Sequence, residues 1–205
     1  MHILHIDCSP REQSHSRNLS AAIVARLFAA HPGASVTRRD LGRHPIPHAE
    51  AAYAGALAAP GNPDAGAATR LSDELIGEIE AAGTLVIGTP MNNFTVPSVL
   101  KAWIDQVLRI GRTIGTTPTG EKTGLLRDKP VFIGIASGGV FAGEHARQPD
   151  FLIPYLTAAF ACVGLTSLRF YPLQATAFLD EARLAANQKA LLAALDVTGI
   201  GAPER

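Results

Sequence analysis

Thr84-Leu85-Val86-Ile87-Gly88 runs into Thr89-Pro90-Met91-Asn92-Asn93-Phe94-Thr95, and this in turn into Val96-Pro97-Ser98-Val99-Leu100-Lys101-Ala102-Trp103-Ile104-Asp105-Gln106-Val107-Leu108-Arg109. The opening segment is a short apolar run bounded by glycine, which reads as a strand buried on both faces. In the closing segment Val96, Val99, Leu100, Trp103, Ile104, Val107 and Leu108 recur at helical spacing, and Pro97 falls where a first helical turn tolerates it. A buried strand, a loop of amides with an aromatic and a thioether, and an amphipathic helix make one β–α unit of a parallel sheet.

The same alternation extends in both directions. Towards the N-terminus, Ile3–Asp7 is an apolar strand, Ser16 to Ala30 a helix with Ser16 as its cap, and Ala34–Asp40 a polar strand near a sheet edge. Residues 42–68 are rich in Gly, Pro and Ala and read as a long excursion with one short helix around Ala49–Ala58, followed by a helix over Thr69–Ala82. Towards the C-terminus come a polar hairpin-like insertion over Gly111–Lys129, a strand at Val131–Ala136, a helix over Phe151–Val163, a strand at Ser167–Tyr171 and a helix over residues 180–195. Five strands separated by helices predict a single α/β domain over residues 1–205. The expected fold is a flavodoxin-like, doubly wound five-stranded parallel sheet in the order 2-1-3-4-5, with helices on both faces and the ligand site at the strand C-terminal ends. A helix bundle is the alternative reading.

Eighteen basic residues balance eighteen acidic ones, which removes the basic excess that nucleic-acid binding or a polybasic membrane surface requires. No apolar run approaches the ~20 residues of a membrane span. Asp7, Arg11 and Glu12 break any signal-peptide pattern at the start, and Cys8 and Cys162 have no CxxC spacing. The expectation is a cytoplasmic protein with reduced thiols.

The first β–α loop, Cys8-Ser9-Pro10-Arg11-Glu12-Gln13-Ser14-His15-Ser16, has no glycine and so no dinucleotide fingerprint. The Gly115…Gly120-Glu121-Lys122-Thr123 stretch fails as a phosphate loop, because Glu121 stands where a lysine is needed and no strand leads into it. Ser9, Ser14 and Ser16 at a helix start nevertheless suit a phosphate monoester, which hydroxyls and free first-turn amides can hold. The same serines would also serve as plain caps. The loop after the third strand, and Ala136-Ser137-Gly138-Gly139-Val140-Phe141 after the fourth, lie at the same sheet end and suit a flat ring with polar edges.

Pro90 through Asp105 strongly resembles the signature of FMN-dependent NADH-azoreductases. The resemblance extends to Ser9, to Ser14-His15-Ser16, to Ser137-Gly138-Gly139, to Pro154-Tyr155-Leu156 and to Gly164-Leu165-Thr166, covering essentially the whole chain. It implies a homodimer with FMN at each of two sites near the interface. Ser9, Ser14, His15 and Ser16 would hold the phosphate, Met91, Asn92, Asn93 and Phe94 would flank the isoalloxazine, and Ser137, Gly138 and Gly139 would approach it. NADH or NADPH would reduce the flavin, and a quinone or azo compound would then take the electrons in a ping-pong cycle, with no essential catalytic side chain. The family usually carries an aromatic at Asn92 and often Tyr or His at Phe141, positions expected to shape the substrate face, and the usual aromatic near Thr116 is missing.

Other chemistries fit less well. His2 and His5 face opposite sides of a strand, and Pro45 and Pro47 keep His44 and His48 off one helical face, so no metal site is expected. A nucleophile elbow is absent. A flavodoxin-like electron carrier, a quinone or nitro reductase with little azo activity, and a ligand-binding regulator on the same fold remain the alternatives.

Overall fold

The computed structural model describes residues 1–58 and 65–197; residues 59–64, within the excursion read at 42–68, and 198–205 lie outside the described residues. The elements run β1 (His2–Asp7), α1 (His15–Ala30), β2 (Ser35–Asp40), α2 (Ala51–Ala58), α3 (Ala65–Ala81), β3 (Thr84–Pro90) and α4 (Ser98–Val107). They continue with β4 (Ile114–Thr116), β5 (Lys122–Gly124), β6 (Val131–Ala136), α5 (Leu152–Val163), β7 (Leu168–Leu173) and α6 (Glu181–Ala193). The five long strands form one parallel sheet, β2-β1-β3-β6-β7, which is the predicted 2-1-3-4-5 order. The two short strands pair antiparallel, Ile114 opposite Gly124, and are the insertion read as a hairpin.

Alternation along each strand sends side chains to two cores. Leu4, Ile6, Leu85, Ile87, Val131, Ile133 and Ile135 pack under α3, α4 and α5; Ile3, Val86, Phe132 and Tyr171 pack under α1 and α6. Trp103 is wholly buried in the first of these, its ring tilted against Phe160 at 6.4 Å. Gly88 on β3 sets the closeness of α1: a Cβ there would lie 2.5 Å from Ser20 Oγ and 2.8 Å from the Ser16 carbonyl. The start of α1 therefore rests directly on the sheet, beside the strand ends.

Several boundaries differ from the sequence reading. Helix α1 begins at His15 with Ser14 as its N-cap, so Ser16 is inside the first turn. Pro97 is the N-cap of α4 rather than part of its first turn. Helix α3 starts ahead of Thr69, and β7 continues through Pro172, which a sheet edge accepts because the missing N–H breaks no ladder on the outer side.

Candidate functional site

An open cleft of about 460 Å³ lies beyond the C-terminal ends of β1, β3 and β6. Ser9, Pro10, Arg11, Ser14 and His15 form one wall and Pro90, Met91 and Asn92 the opposite one, while Ala136, Gly138, Thr176 and Ala177 close the far end. The strand order reverses between β1 and β3, so the cleft opens at the switch point of the sheet.

The wall from the β1–α1 loop is suited to an anion. Ser14 sits at the N-cap with extended backbone, yet its side chain makes no capping bond; its Oγ pairs instead with Ser16 Oγ at 3.0 Å. The first-turn amides of α1 thus keep their free N–H groups beside the cleft, and no acidic residue occupies that turn. Ser9 is buried, with Oγ accepting from the Arg11 amide at 3.2 Å.

Behind this wall lies a buried ionic cluster. Asp7 Oδ1 accepts from Ser20 Oγ at 3.0 Å, and Asp7 Oδ2 accepts from Arg38 Nη2 at 2.6 Å. Arg17, almost fully buried, donates to Asp40 at 2.5 and 2.8 Å and to the Ser9 carbonyl at 2.5 and 2.9 Å. Burial alone would raise the Asp7 carboxyl, but the His5 hydrogen bond and charge, with the bonds from Arg38 and Ser20, outweigh it and hold the group at about 2. His5 Nε2 also meets Ser20 Oγ at 2.9 Å, so this histidine belongs to the cluster. Burial, reinforced by the Asp7 charge, pushes the Cys8 thiol far above its ordinary range, leaving it inert.

The opposite wall is a tight turn. The Asn92 amide donates to the Thr95 carbonyl at 2.9 Å and the Thr95 amide to the Asn92 carbonyl at 3.0 Å, with φ of 48° at Asn93 and 70° at Phe94. Positive φ at both central residues is the signature of a type I′ turn, which Asn tolerates and Phe does not favour. Gln148 ties this wall to the next: its Nε2 lies 3.2 Å from Met91 Sδ and 3.1 Å from Ser137 Oγ. Gly139 leaves room for the same side chain, since a Cβ there would lie 2.4 Å from Gln148 Oε1. Main-chain bonds from Ala175, Thr176 and Ala177 to the carbonyls of Gly139, Ser137 and Gly138, at 3.1, 3.0 and 3.4 Å, hold the far end together.

Of the residues singled out from sequence, Ser9, Ser14, His15, Met91, Asn92 and Gly138 line the one cleft. Ser16 and Ser137 are buried just behind it, Gly139 faces Gln148, and Asn93 and Phe94 occupy the exposed turn. Phe141 does not form a substrate face: only 3% exposed, it packs into the α3–α5 core, and its amide donates to Gln174 Oε1 at 2.7 Å. Arg11, Gln148, Thr176 and Ala177 were not found from sequence. Arg11 stood in the serine loop and was legible as a cation beside a phosphate-type loop; the other three come from stretches without periodicity.

A five-stranded sheet in this order, with a cleft at its switch point and no pyrophosphate loop, defines a flavodoxin-like protein. A family model described as a flavodoxin-like fold matches residues 1–196. An FMN-dependent NADH:quinone oxidoreductase of Pseudomonas fluorescens is 47% identical over 181 residues, covering 88% of this chain and 87% of the relative. Another of the same name from Burkholderia lata is 46% identical over 199 residues, covering 93% and 95%. Among solved structures, an azoreductase of Bacillus anthracis superposes with a TM-score of 0.82 at 25% identity, covering 94% of this chain and 97% of that one. The chain belongs to the flavodoxin-like family, in its branch of FMN-dependent NADH:quinone oxidoreductases.

Proposed function

We propose that this single-domain chain binds FMN in the cleft and works, as a cytoplasmic homodimer, as an NAD(P)H-dependent reductase of quinones and azo compounds. The observation that carries the reading is the uncapped start of α1, which leaves amides and the Ser14 hydroxyl at one end of a cleft sized for a flat ring. The loop from Cys8 to Ser16 has no glycine to let its backbone approach a pyrophosphate, which favours the mononucleotide. Among the described residues no helix is long and apolar enough to cross a membrane.

Bound there, FMN would supply hydride acceptance from the nicotinamide and two-electron delivery to the acceptor, the two substrates using the cleft in turn. The chain's residues bind and orient. Ser9, Ser14 and His15 would hold the phosphate end, with Ser16 supporting Ser14 from behind; Met91, Asn92, Asn93 and Phe94 would flank the ring; Gly138 would let backbone lie close against it, with Ser137 and Gly139 behind. Exposed Phe94 and Phe178 lie within two residues of the cleft-lining Asn92 and Ala177, and the amide of exposed Phe151 bonds the Phe94 carbonyl at 3.0 Å; these rings favour an aromatic acceptor and a second subunit near the rim.

The test is a visible spectrum of the purified protein, followed by heat release and identification of the nucleotide. We expect flavin absorbance, FMN rather than FAD, and NADH oxidation on adding a quinone. A protein that refuses added FMN, or one that releases FAD, would overturn the reading. A monomer by sedimentation that remains fully active would overturn the dimer.

A further inference from the structure

We infer that Arg17 is a positioning residue: it turns the Ser9 carbonyl away from the cleft, so that hydroxyls and amides of the loop, rather than a carbonyl oxygen, meet the cofactor phosphate. The inference rests on the FMN reading above. Arg17 does not line the cleft and is only 7% exposed. Two of its nitrogens, Nε and Nη2, converge on the Ser9 carbonyl oxygen at 2.9 and 2.5 Å, while Nη1 and Nη2 grip the Asp40 carboxylate at 2.8 and 2.5 Å. The acceptor so captured is a backbone oxygen, which facing outward would present the negative end of its dipole to a phosphate dianion.

A second element closes on the same atom. The Gly42 amide donates to the Asp7 carbonyl at 3.1 Å, and a Cβ at Gly42 would lie 2.0 Å from the Ser9 oxygen, so the turn after β2 is pressed against the back of the loop. Its neighbour Arg43 bonds Asp40 Oδ1 through its amide at 3.0 Å and reaches Glu12 Oε1 with its side chain at 2.6 Å, pinning the loop a second time.

The charges argue that Arg17 acts by geometry and not by attraction. Arg17 and Arg38 are offset in place by Asp7 and Asp40, all within 4 Å of an opposite partner. What remains is a rigid fork holding a carbonyl, which a lysine ammonium cannot reproduce.

The experiment titrates the full-length protein, freed of flavin, with FMN and separately with riboflavin, which lacks the phosphate. The wild type should bind FMN far more tightly than riboflavin; if it does not, the FMN reading itself fails. In Arg17→Lys, which keeps the charge, the preference for FMN over riboflavin should shrink by at least about tenfold, the worth of one hydrogen bond to a charged group. Asp40→Asn separates the two roles by direction. Releasing the guanidinium from its carboxylate should tighten FMN binding if attraction is its role, and should weaken it if it holds the loop. A wild-type preference for FMN that survives in both variants, or a tighter FMN complex in Asp40→Asn, would overturn the assignment. If Arg17→Lys does not fold, the direction of the Asp40→Asn change decides.

Discussion

At the β1–α1 end of the cleft side chains do the holding: Asp7, Arg17, Arg38 and Asp40 interlock below a loop whose serines are buried. At the β6–β7 end the main chain does it, residues 175–177 bonding to the carbonyls of 137–139, while neighbouring side chains such as Phe178 stand exposed. The first arrangement fixes fully committed charges and tolerates few substitutions. The second fixes a shape largely through the backbone, with side-chain ties at Thr176, Gln148 and Gln174, and leaves Ala177 and Phe178 free. A site that keeps one cofactor while meeting varied acceptors has use for both.

The sharpest way to break this contrast is at Asp7. Asp7→Ala would leave the buried Arg17, His5 and Ser20 without their carboxylate, while half-exposed Arg38 turns to solvent, and loss of one partner from a buried pair costs about 3–5 kcal/mol. Urea denaturation at neutral pH should show a loss in that range; a change below about 1 kcal/mol would mean the cluster is decoration. The acid limb checks the same point. Asp7 is held at about 2, below the ~3.9 of an unfolded aspartate. Its contribution is therefore complete above the unfolded value and is lost as pH falls from about 5 towards 2, so the gap between wild type and variant should narrow there by about 2.6 kcal/mol.

Next in size is the phosphate wall. Ser14→Ala should weaken FMN binding by about 1.5–3 kcal/mol, the worth of a hydrogen bond to a charged group, without altering thermal stability comparably. Unchanged FMN affinity by fluorescence titration would place the phosphate elsewhere. At the ring end, Asn92→Tyr should restore a stacking partner worth about 0.5–1.5 kcal/mol and raise azo-dye reduction more than quinone reduction. Equal kcat/KM ratios for the two acceptors before and after would show that residue 92 does not meet the acceptor. The smallest effect is at Ala175, whose φ of 58° strains an ordinary side chain. Ala175→Gly should raise the melting stability by up to about 1 kcal/mol, and a loss would mean that the methyl group matters more than the backbone.

How legible this was in the sequence followed the same division. Val131–Ala136 was read to the residue, since a central strand is a closed apolar run with no competing period. The start of α1 was misplaced because Ser9, Ser14 and Ser16 are all competent caps, and only the extended backbone at Ser14 decides among them. The strand read at Ser167–Tyr171 runs on through Pro172 to Leu173, because an edge position admits proline and that position cannot be seen locally. The cleft's serines and its Pro90–Asn92 wall were recoverable from loop placement. Gln148 was not: it reaches Met91 from 57 positions along the chain, with no period or motif to announce it. Nor were Arg17 and Asp40 visible as a pair, being 23 positions apart on a helix and a strand end.

The three amide-to-carbonyl bonds between residues 175–177 and 137–139 have an evolutionary consequence. Bonds of that kind are indifferent to which side chain each residue carries, provided the backbone can adopt the conformation. Substitutions at Ala177 and Phe178 can accumulate while the scaffold beneath keeps its shape, whereas Thr176 is tied by its own hydroxyl to the Ser137 carbonyl at 3.1 Å, so this rim of the cleft can diversify over an unchanged backbone. Libraries confined to those two positions are where new acceptor preferences should be sought first.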